Sequence, residues 1–477
     1  MAPCSKRTGR LHSKTVDAQS RLSRIPIRRR GLVKIGEVGS RRFVDLFAGC
    51  GGFSLGLAKA GLKGVFAVER DPMAFDTFST NLVNDTAPVE YRFDWPAWLE
   101  RRAWGIDDIL QEHRTGLEGL RGDIDVIAGG PPCQGFSFAG RRMENDPRNL
   151  LSDKYVEAVS LLKPSALILE NVPGMKVAHR SSTVTDLFGD PQPLRQSFYE
   201  KLAEKLDAIG YDVQAKLVDA STFGVPQRRS RLIAIGIRKD LSTWLEGGAG
   251  RAFEWVEIAR RQQLEDLQLG SSVSAQQAIS DLEVRRGLLA ECKDAESPKG
   301  FQEIVPRAPS GVYQMLMREG RDVTPNSMRL ARHSDEVRDR FARILAECRR
   351  GVRMDDEARR KYGLRKHRIY PMAPNEPAPT ITTLPDDVLH YSEPRILTVR
   401  ESARLQSFPD WFQFKGKFTT GGDRRTKECP RYTQVGNAVP PYLALAIGKA
   451  VTATLDEIAL NVRIFGSRKS HAIAAAE

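Results

Sequence analysis

Between residues 42 and 238 the apolar positions fall into short runs separated by glycine turns and by stretches of helical spacing. Residues 42–48, Arg-Phe-Val-Asp-Leu-Phe-Ala, form one run cut off by Gly-Cys-Gly-Gly, and helical spacing follows from Phe53 to Gly61, which predicts strand, glycine turn, helix. Residues 64–69 read as a second strand ending in an acid, 73–83 as a helix, and 124–128 as a buried strand running into Gly-Gly-Pro-Pro. The strand pattern repeats at 166–169, with helices over about 151–163 and 194–209 and further strands near 211–218 and 231–237. This alternation predicts an α/β fold: a mostly parallel, Rossmann-like sheet with helices on both faces.

Residues 239–395 break the pattern. They are rich in charge, carry helical runs at about 253–268 and 334–349, and contain a proline-dense stretch at 371–379. Regularity returns from Thr398 and closes on an apolar helix from about 441 to 455. The expected organisation is therefore a basic arm over 1–40, a first domain over 41–238, a smaller inserted domain over 239–395, a return segment over 396–460 that completes the first domain, and a flexible tail over 461–477. With 477 residues the chain is long enough to bury a sizeable core without staples. No run approaches the roughly 18 apolar residues of a membrane span, so no membrane partner is expected. Cys4, Cys50, Cys133, Cys292, Cys348 and Cys429 include no Cys-x-x-Cys pair, which argues against a disulfide framework and against structural zinc and favours a reducing, cytoplasmic setting.

The charge is uneven. The net charge is +13, yet residues 1–42 alone hold twelve Lys or Arg against Asp17 and Glu37. That arm suits a polyanion through counterion release; a solvated tail without a role is the plainer alternative.

Candidate chemistry collects at strand ends. Asp45-Leu-Phe-Ala-Gly49-Cys-Gly51-Gly52 places glycines where a strand turns into a helix and the backbone must approach a ligand, although tight strand–helix packing needs the same residues. Glu69 closes the next strand, about 20 residues on, where an acid commonly holds ribose hydroxyls. Pro131-Pro132-Cys133-Gln134-Gly135-Phe136-Ser137 follows a buried strand, so Cys133 stands at the sheet edge where a thiol can act as nucleophile. Glu170-Asn171-Val172 ends the following strand and brings a carboxyl group to that edge, which suits attack on a ring coupled to its protonation. In Gln227-Arg228-Arg229-Ser230-Arg231, strand alternation would point Arg229 and Arg231 to one face; a surface charge run is the alternative.

Together and in this order these residues resemble the cytosine-5 DNA methyltransferase family, bacterial type. The resemblance spans about 42–238 and 395–455 through DLFAGCGGFS, the acid at Glu69, PPCQGFS, ENV, QRRSR, RESARLQSFP and Gln434-Val-Gly-Asn437-Ala-Val439-Pro440. It implies an S-adenosylmethionine-dependent fold, a smaller target-recognition domain and duplex DNA in the cleft between them. It further implies that Phe47 packs on the cofactor adenine, that Gly49, Gly51 and Gly52 admit the methionine portion, that Glu69 binds the ribose, and that Asn437 and Val439 complete the pocket. The target cytosine would be flipped out, Cys133 would attack carbon 6, Glu170 and Arg231 would hold the activated ring, and Arg229 would assist. No metal is implied.

The resemblance is incomplete. Arg70 stands after Glu69 where an aromatic is often found, and the usual Gly-Asp-Ile contact to the adenine amine is missing, for which Asp94 is the expected substitute. DNA contacts are expected from Gln134, Ser137, Arg141 and Arg148 in the loop after the nucleophile, from Gln227, and from Thr382 in the Thr-rich segment 380–383. Residues 365–368, Arg-Lys-His-Arg, could grip the backbone or simply be solvated. The expected protein is a monomer acting near the nucleoid, with a restriction endonuclease for the same site as a possible companion. An RNA cytosine-5 methyltransferase of the same fold and a non-catalytic DNA-binding descendant remain as alternatives.

Overall fold

A computed structural model of the chain describes residues 40–131, 150–176, 178–185, 191–364, 368–420, 424 and 427–474. Six strands, β1 (Arg42–Leu46), β2 (Lys63–Val68), β3 (Val126–Gly129), β4 (Ala166–Asn171), β5 (Tyr211–Asp219) and β6 (Ser230–Arg238), form a central sheet. The order is β2-β1-β3-β4-β6-β5. β1 pairs in parallel with β2 and β3, and β3 with β4, whereas β6 runs antiparallel to both β4 and β5. The residues between β5 and β6 are too few for the roughly dozen-residue crossover a parallel pair requires, so that pair reverses. Every position of β3 and β4 is buried, as expected of strands covered on both faces.

Helices α1 (Gly52–Lys59), α2 (Pro72–Leu82), α3 (Leu150–Leu162) and α4 (Phe198–Ala208) lie between the strands. Asp71 starts α2 by accepting the N–H groups of Met73 and Ala74, with Pro72 at the first helical position, and Ser197 and Glu200 form a reciprocal cap on α4. Because the chain visits β2 on one side of β1 and then β3 on the other, a crevice opens at the carboxyl ends of β1 and β3.

From Arg251 the chain continues through α5 (Arg251–Asp266), α6 (Asp335–Glu347), α7 (Asp356–Lys361), α8 (Val399–Leu405), α9 (Arg431–Asn437) and α10 (Pro441–Ala474). A separate small core, with Phe341, Ile344 and Leu345 of α6 against Met354, Tyr362 and Ile369, sits in the middle of this stretch. Arg404 of α8 is fully buried between Asp281 and Asp410, with contacts of 2.6–3.0 Å, and Arg431 of α9 is paired with Asp294. These ion pairs bind residues of the 239–395 stretch to the return segment. α10 lies along α1 and α5, so close to α1 that a β-carbon on Gly56 would stand 2.3 Å from that of Ala444.

One expectation is revised. α10 does not end near 455: the helix continues to Ala474, because a single Gly466 costs only about 1 kcal/mol in a helix interior and no proline follows. No helix among the described residues is long and apolar enough to cross a membrane.

Candidate active site

The glycine turn after β1 is built as a cradle. Phe47 leaves the strand at φ 64°, Gly49 and Gly51 follow at 57° and 96°, and the Ala48 N–H donates to Val68 O at 3.0 Å, which folds the turn across the ends of β1 and β2. Phe47 is half-buried against the core. Positive φ at a phenylalanine is strained, on the order of 1 kcal/mol, and the surrounding hydrogen bonds hold it there. Glu69, one residue past β2, accepts the Gly49 N–H with Oε2 at 2.9 Å and the Asp71 N–H with Oε1 at 2.8 Å. Burial raises its carboxyl pKa, and these two N–H groups oppose the rise.

The other side of the cradle comes from the return segment. A β-carbon on Gly52 would stand 2.4 Å from Val439 O, so glycine there is a packing requirement. Asn437 ends α9 with its side chain exposed. Gln434 fastens the wall: its carboxamide accepts from Thr77 of α2 at 2.7 Å and donates to Lys415 O and Cys429 O. Phe47, Gly49, Gly51, Gly52, Glu69 and Val439 thus line one end of the sheet. Bare glycine backbone beside a carboxylate whose oxygens each retain lone pairs suits a nucleoside with two ribose hydroxyls.

Asp94 does not belong to this end. Its N–H donates to Gly64 O at 2.8 Å and its carboxylate, 60% exposed, pairs with Lys63 at 3.2 Å, both at the start of β2. The cause is Phe93, whose ring is buried against Phe43 and Phe78 and fills the space over Gly64, holding Asp94 to the opposite edge. The chain regains the cradle only at Trp104, whose N–H donates to Glu69 O at 2.8 Å. An apolar anchor one residue upstream was the signal that argued against Asp94.

Around β4 the polar groups converge. The antiparallel course of β6 puts its first residues beside the last residues of β4, and Arg231 Nε stands 2.7 Å from Glu170 Oε1. In a parallel strand Arg231 would have lain at the far edge. Gly130 keeps room for the pair, since a β-carbon there would come within 3.3 Å of Glu170 Oε2. Asn171 donates to Pro131 O at 3.0 Å and accepts the Val172 N–H at 2.8 Å, clamping the chain just before Cys133. That clamp carries a polar role the ENV motif left unassigned. Cys133, Gln134, Ser137, Arg141 and Arg148 lie outside the described residues, as do Arg365, Lys366 and His367.

Three expected ligand contacts are engaged elsewhere. Gln227 is fully buried: Nε2 donates to Leu405 O at 3.2 Å and Oε1 accepts the Ile381 N–H at 2.8 Å, so it has no path to DNA. Arg229 is 2% exposed and donates to Ile381 O at 3.0 Å and Gly436 O at 2.8 Å. Burial, with Arg231 beside it, drives its pKa well down, and Glu170 opposes the fall. Thr382 uses its hydroxyl inside its own turn, donating to Asp387 Oδ2 at 2.7 Å and accepting the Leu384 N–H at 3.2 Å. Strand alternation fails as a guide for Arg229 because the residue precedes β6 and its carbonyl partners are remote in sequence.

No group of His, Cys, Asp or Glu placed to hold a metal ion occurs among the described residues. A family model described as C-5 cytosine-specific DNA methylase matches residues 41–453. Over 431 residues the chain is 32% identical to the Type II methyltransferase M.DdeI of Desulfomicrobium norvegicum, covering 87% of this chain and 90% of that protein. It is 30% identical to the Type II methyltransferase M1.HphI of Haemophilus parahaemolyticus, covering 86% and 87%. Among solved structures it resembles a candidate DNA modification methyltransferase encoded within an E. coli prophage, with a TM-score of 0.56, 25% identity, and coverage of 87% of this chain and 100% of that one.

Proposed function

The chain belongs to the C-5 cytosine-specific DNA methylase family and is a DNA cytosine-5 methyltransferase using S-adenosylmethionine as methyl donor; from that premise we propose that it methylates cytosine within one short duplex sequence, through a covalent adduct with Cys133. The observation that carries this reading is the Glu170–Arg231 pair, at 2.7 Å, on the sheet edge that also carries Pro131.

The Cys133 thiolate adds to carbon 6 of a cytosine turned out of the helix, since a stacked base hides both faces of its ring. Glu170 accepts from the exocyclic amine and shares a proton with ring nitrogen 3, so the electron pair that the thiolate displaces from the 5,6 double bond is taken up on a protonated ring. Arg231 neutralises Glu170 and donates to the ring carbonyl oxygen. Carbon 5 becomes electron-rich and gains the methyl group; a solvent base then takes its proton, the thiolate is expelled, and the proton on ring nitrogen 3 returns to Glu170, which restores the aromatic ring. S-adenosylmethionine, when bound, supplies the sulfonium methyl group. Glu69 would hold its ribose, Phe47 its adenine, Gly49, Gly51 and Gly52 its methionine portion, and Asn437 and Val439 the far wall.

Residues 239–395 are the proposed target-recognition region, and the Lys- and Arg-rich residues 1–42 add sequence-independent affinity for DNA in the cytoplasm. The Type II names of the relatives support a companion endonuclease. The test is base-resolution mapping of 5-methylcytosine on unmethylated plasmid DNA incubated with protein and S-adenosylmethionine, beside Cys133→Ala. Methylation at one recurring sequence, lost in the variant, is expected; methylation that persists in Cys133→Ala overturns the covalent mechanism.

A further inference from the structure

We propose that Arg229 is a positioning residue that couples duplex binding by the target-recognition region, through its Thr-rich segment 380–383, to occupancy of the cofactor pocket. The inference rests on the reading above, which makes residues 239–395, with 380–383 among them, the target-recognition region and places the cofactor against Asn437.

Arg229 is an unusual residue to bury. Its guanidinium donates to two carbonyls, of Ile381 and Gly436, from residues 152 and 207 positions away in the chain, and its Nε has no partner among the described residues. A buried cation with an unspent N–H is costly, and an apolar side chain of similar volume would be cheaper. What only the planar fork supplies is two donors at a fixed separation, one on each of two backbones.

Those backbones touch. Where Gly436 would carry a β-carbon, Thr382 O would be 2.3 Å away, so no side chain cushions one segment from the other. On one side the chain leads within two residues to Thr383, and on the other the next residue is Asn437. The first segment is also stitched to the entry of β6: Ala378 N–H donates to Pro226 O, Arg228 N–H to Ala378 O, and the Thr380 hydroxyl to Arg228 O at 2.7 Å. Two residues beyond Arg229 stands Arg231, paired with Glu170. A shift of residues 380–383 on engaging duplex is therefore passed through Arg229 to Asn437, and the reverse holds by linkage.

The experiment measures S-adenosylhomocysteine binding by calorimetry, for the full chain alone and saturated with a duplex carrying its mapped site. In the parent protein the duplex is expected to tighten binding by about tenfold, within the range usual for coupled sites. Arg229→Met should reduce that ratio to below about twofold and Arg229→Lys should restore part of it, with affinity in the absence of DNA changing by less than about threefold. Gln227→Met, which removes the acceptor for the Ile381 N–H, should lower the ratio as well and serves if the Arg229 variants do not fold. A ratio that stays at the parent value in folded Arg229→Met or Gln227→Met overturns the proposal, as does a parent protein whose S-adenosylhomocysteine affinity ignores the duplex. Failure of the parent to bind S-adenosylhomocysteine at all would instead overturn the cofactor site on which the proposal is built.

Discussion

Glu170 and Arg231, 61 positions apart in the chain, meet at 2.7 Å only because β6 runs against β4. The pairing sets the charge of the proposed reaction centre, since the guanidinium can balance Glu170 while leaving its second oxygen free for the base. Glu170→Gln and Arg231→Ala should each slow single-turnover methylation by about 100-fold or more, the usual effect of removing one group that stabilises developing charge. Duplex affinity should change by less than about fivefold, within the roughly 1 kcal/mol expected for one lost contact. Rapid-quench kinetics and fluorescence anisotropy separate the two, and a change confined to affinity would remove both residues from the chemistry.

Gly52 lies against Val439, with no room for a side chain. Gly52→Ala should push α1 from residues 438–440 and weaken S-adenosylhomocysteine binding by at least about tenfold, while costing about 1–3 kcal/mol of stability from overpacking. Calorimetry of the folded variant, with its melting curve, checks both.

Asp45 is fully buried, bonded to the Ser54 hydroxyl at 2.6 Å, and its carboxyl is pushed up to about 7 from an ordinary 3.8, mainly by burial. The folded state therefore binds this proton more tightly than the unfolded chain. Its contribution to stability is complete below about pH 4 and is lost as pH rises to about 7. Asp45→Asn removes that loss, so the difference in unfolding free energy between variant and parent should move in the variant's favour by on the order of 3 kcal/mol from pH 4 to pH 8. Urea titrations at the two pH values measure it, and a pH-independent difference would mean that Asp45 is ionised throughout.

Arg404 is buried with Asp281 on one side and Asp410 on the other. Removing Asp281 leaves a buried cation short of one counter-charge, so Asp281→Ala should destabilise the fold by about 3–5 kcal/mol. Exchange of Arg404 and Asp281 together for apolar residues of similar volume, with Asp410 kept as the partner of Arg318, should cost less. Equal losses in the single and double variants, read from urea midpoints, would contradict this account.

The cradle at the end of β1 was legible because local pattern dictates it: an apolar run, three glycines and an acid one strand later leave few alternatives. Glu170 was legible for the same reason, as the polar end of a wholly apolar strand. Gln227, Arg229 and Thr382 were not. Polar type suggests exposure, and the acceptors that bury the first two, at Leu405, Ile381 and Gly436, lie more than 150 residues further along the chain. Asp94 misled because its identity suited the pocket while its position is fixed by the Phe93 ring beside it. Asn171 was visible as a letter of the motif, yet its grip on Pro131 becomes apparent only when β3 and β4 lie side by side.

The close seating of α1 on α10 also sets a timetable for synthesis. At roughly 5–20 residues per second, a ribosome that has made Gly56 needs about 20–80 s more to reach Ala444, its neighbour across the helix pair. Until then the face of α1 turned towards α10 has no partner, and the cradle that depends on Val439 has only one wall. Chains arrested before α10 should be cut readily by protease near residues 52–59, whereas released chains should resist; equal resistance would show that the amino-terminal half closes unaided. α10 is thus the element that lets α1 settle, and a message truncated before α10 yields a chain with neither a finished core nor a complete pocket.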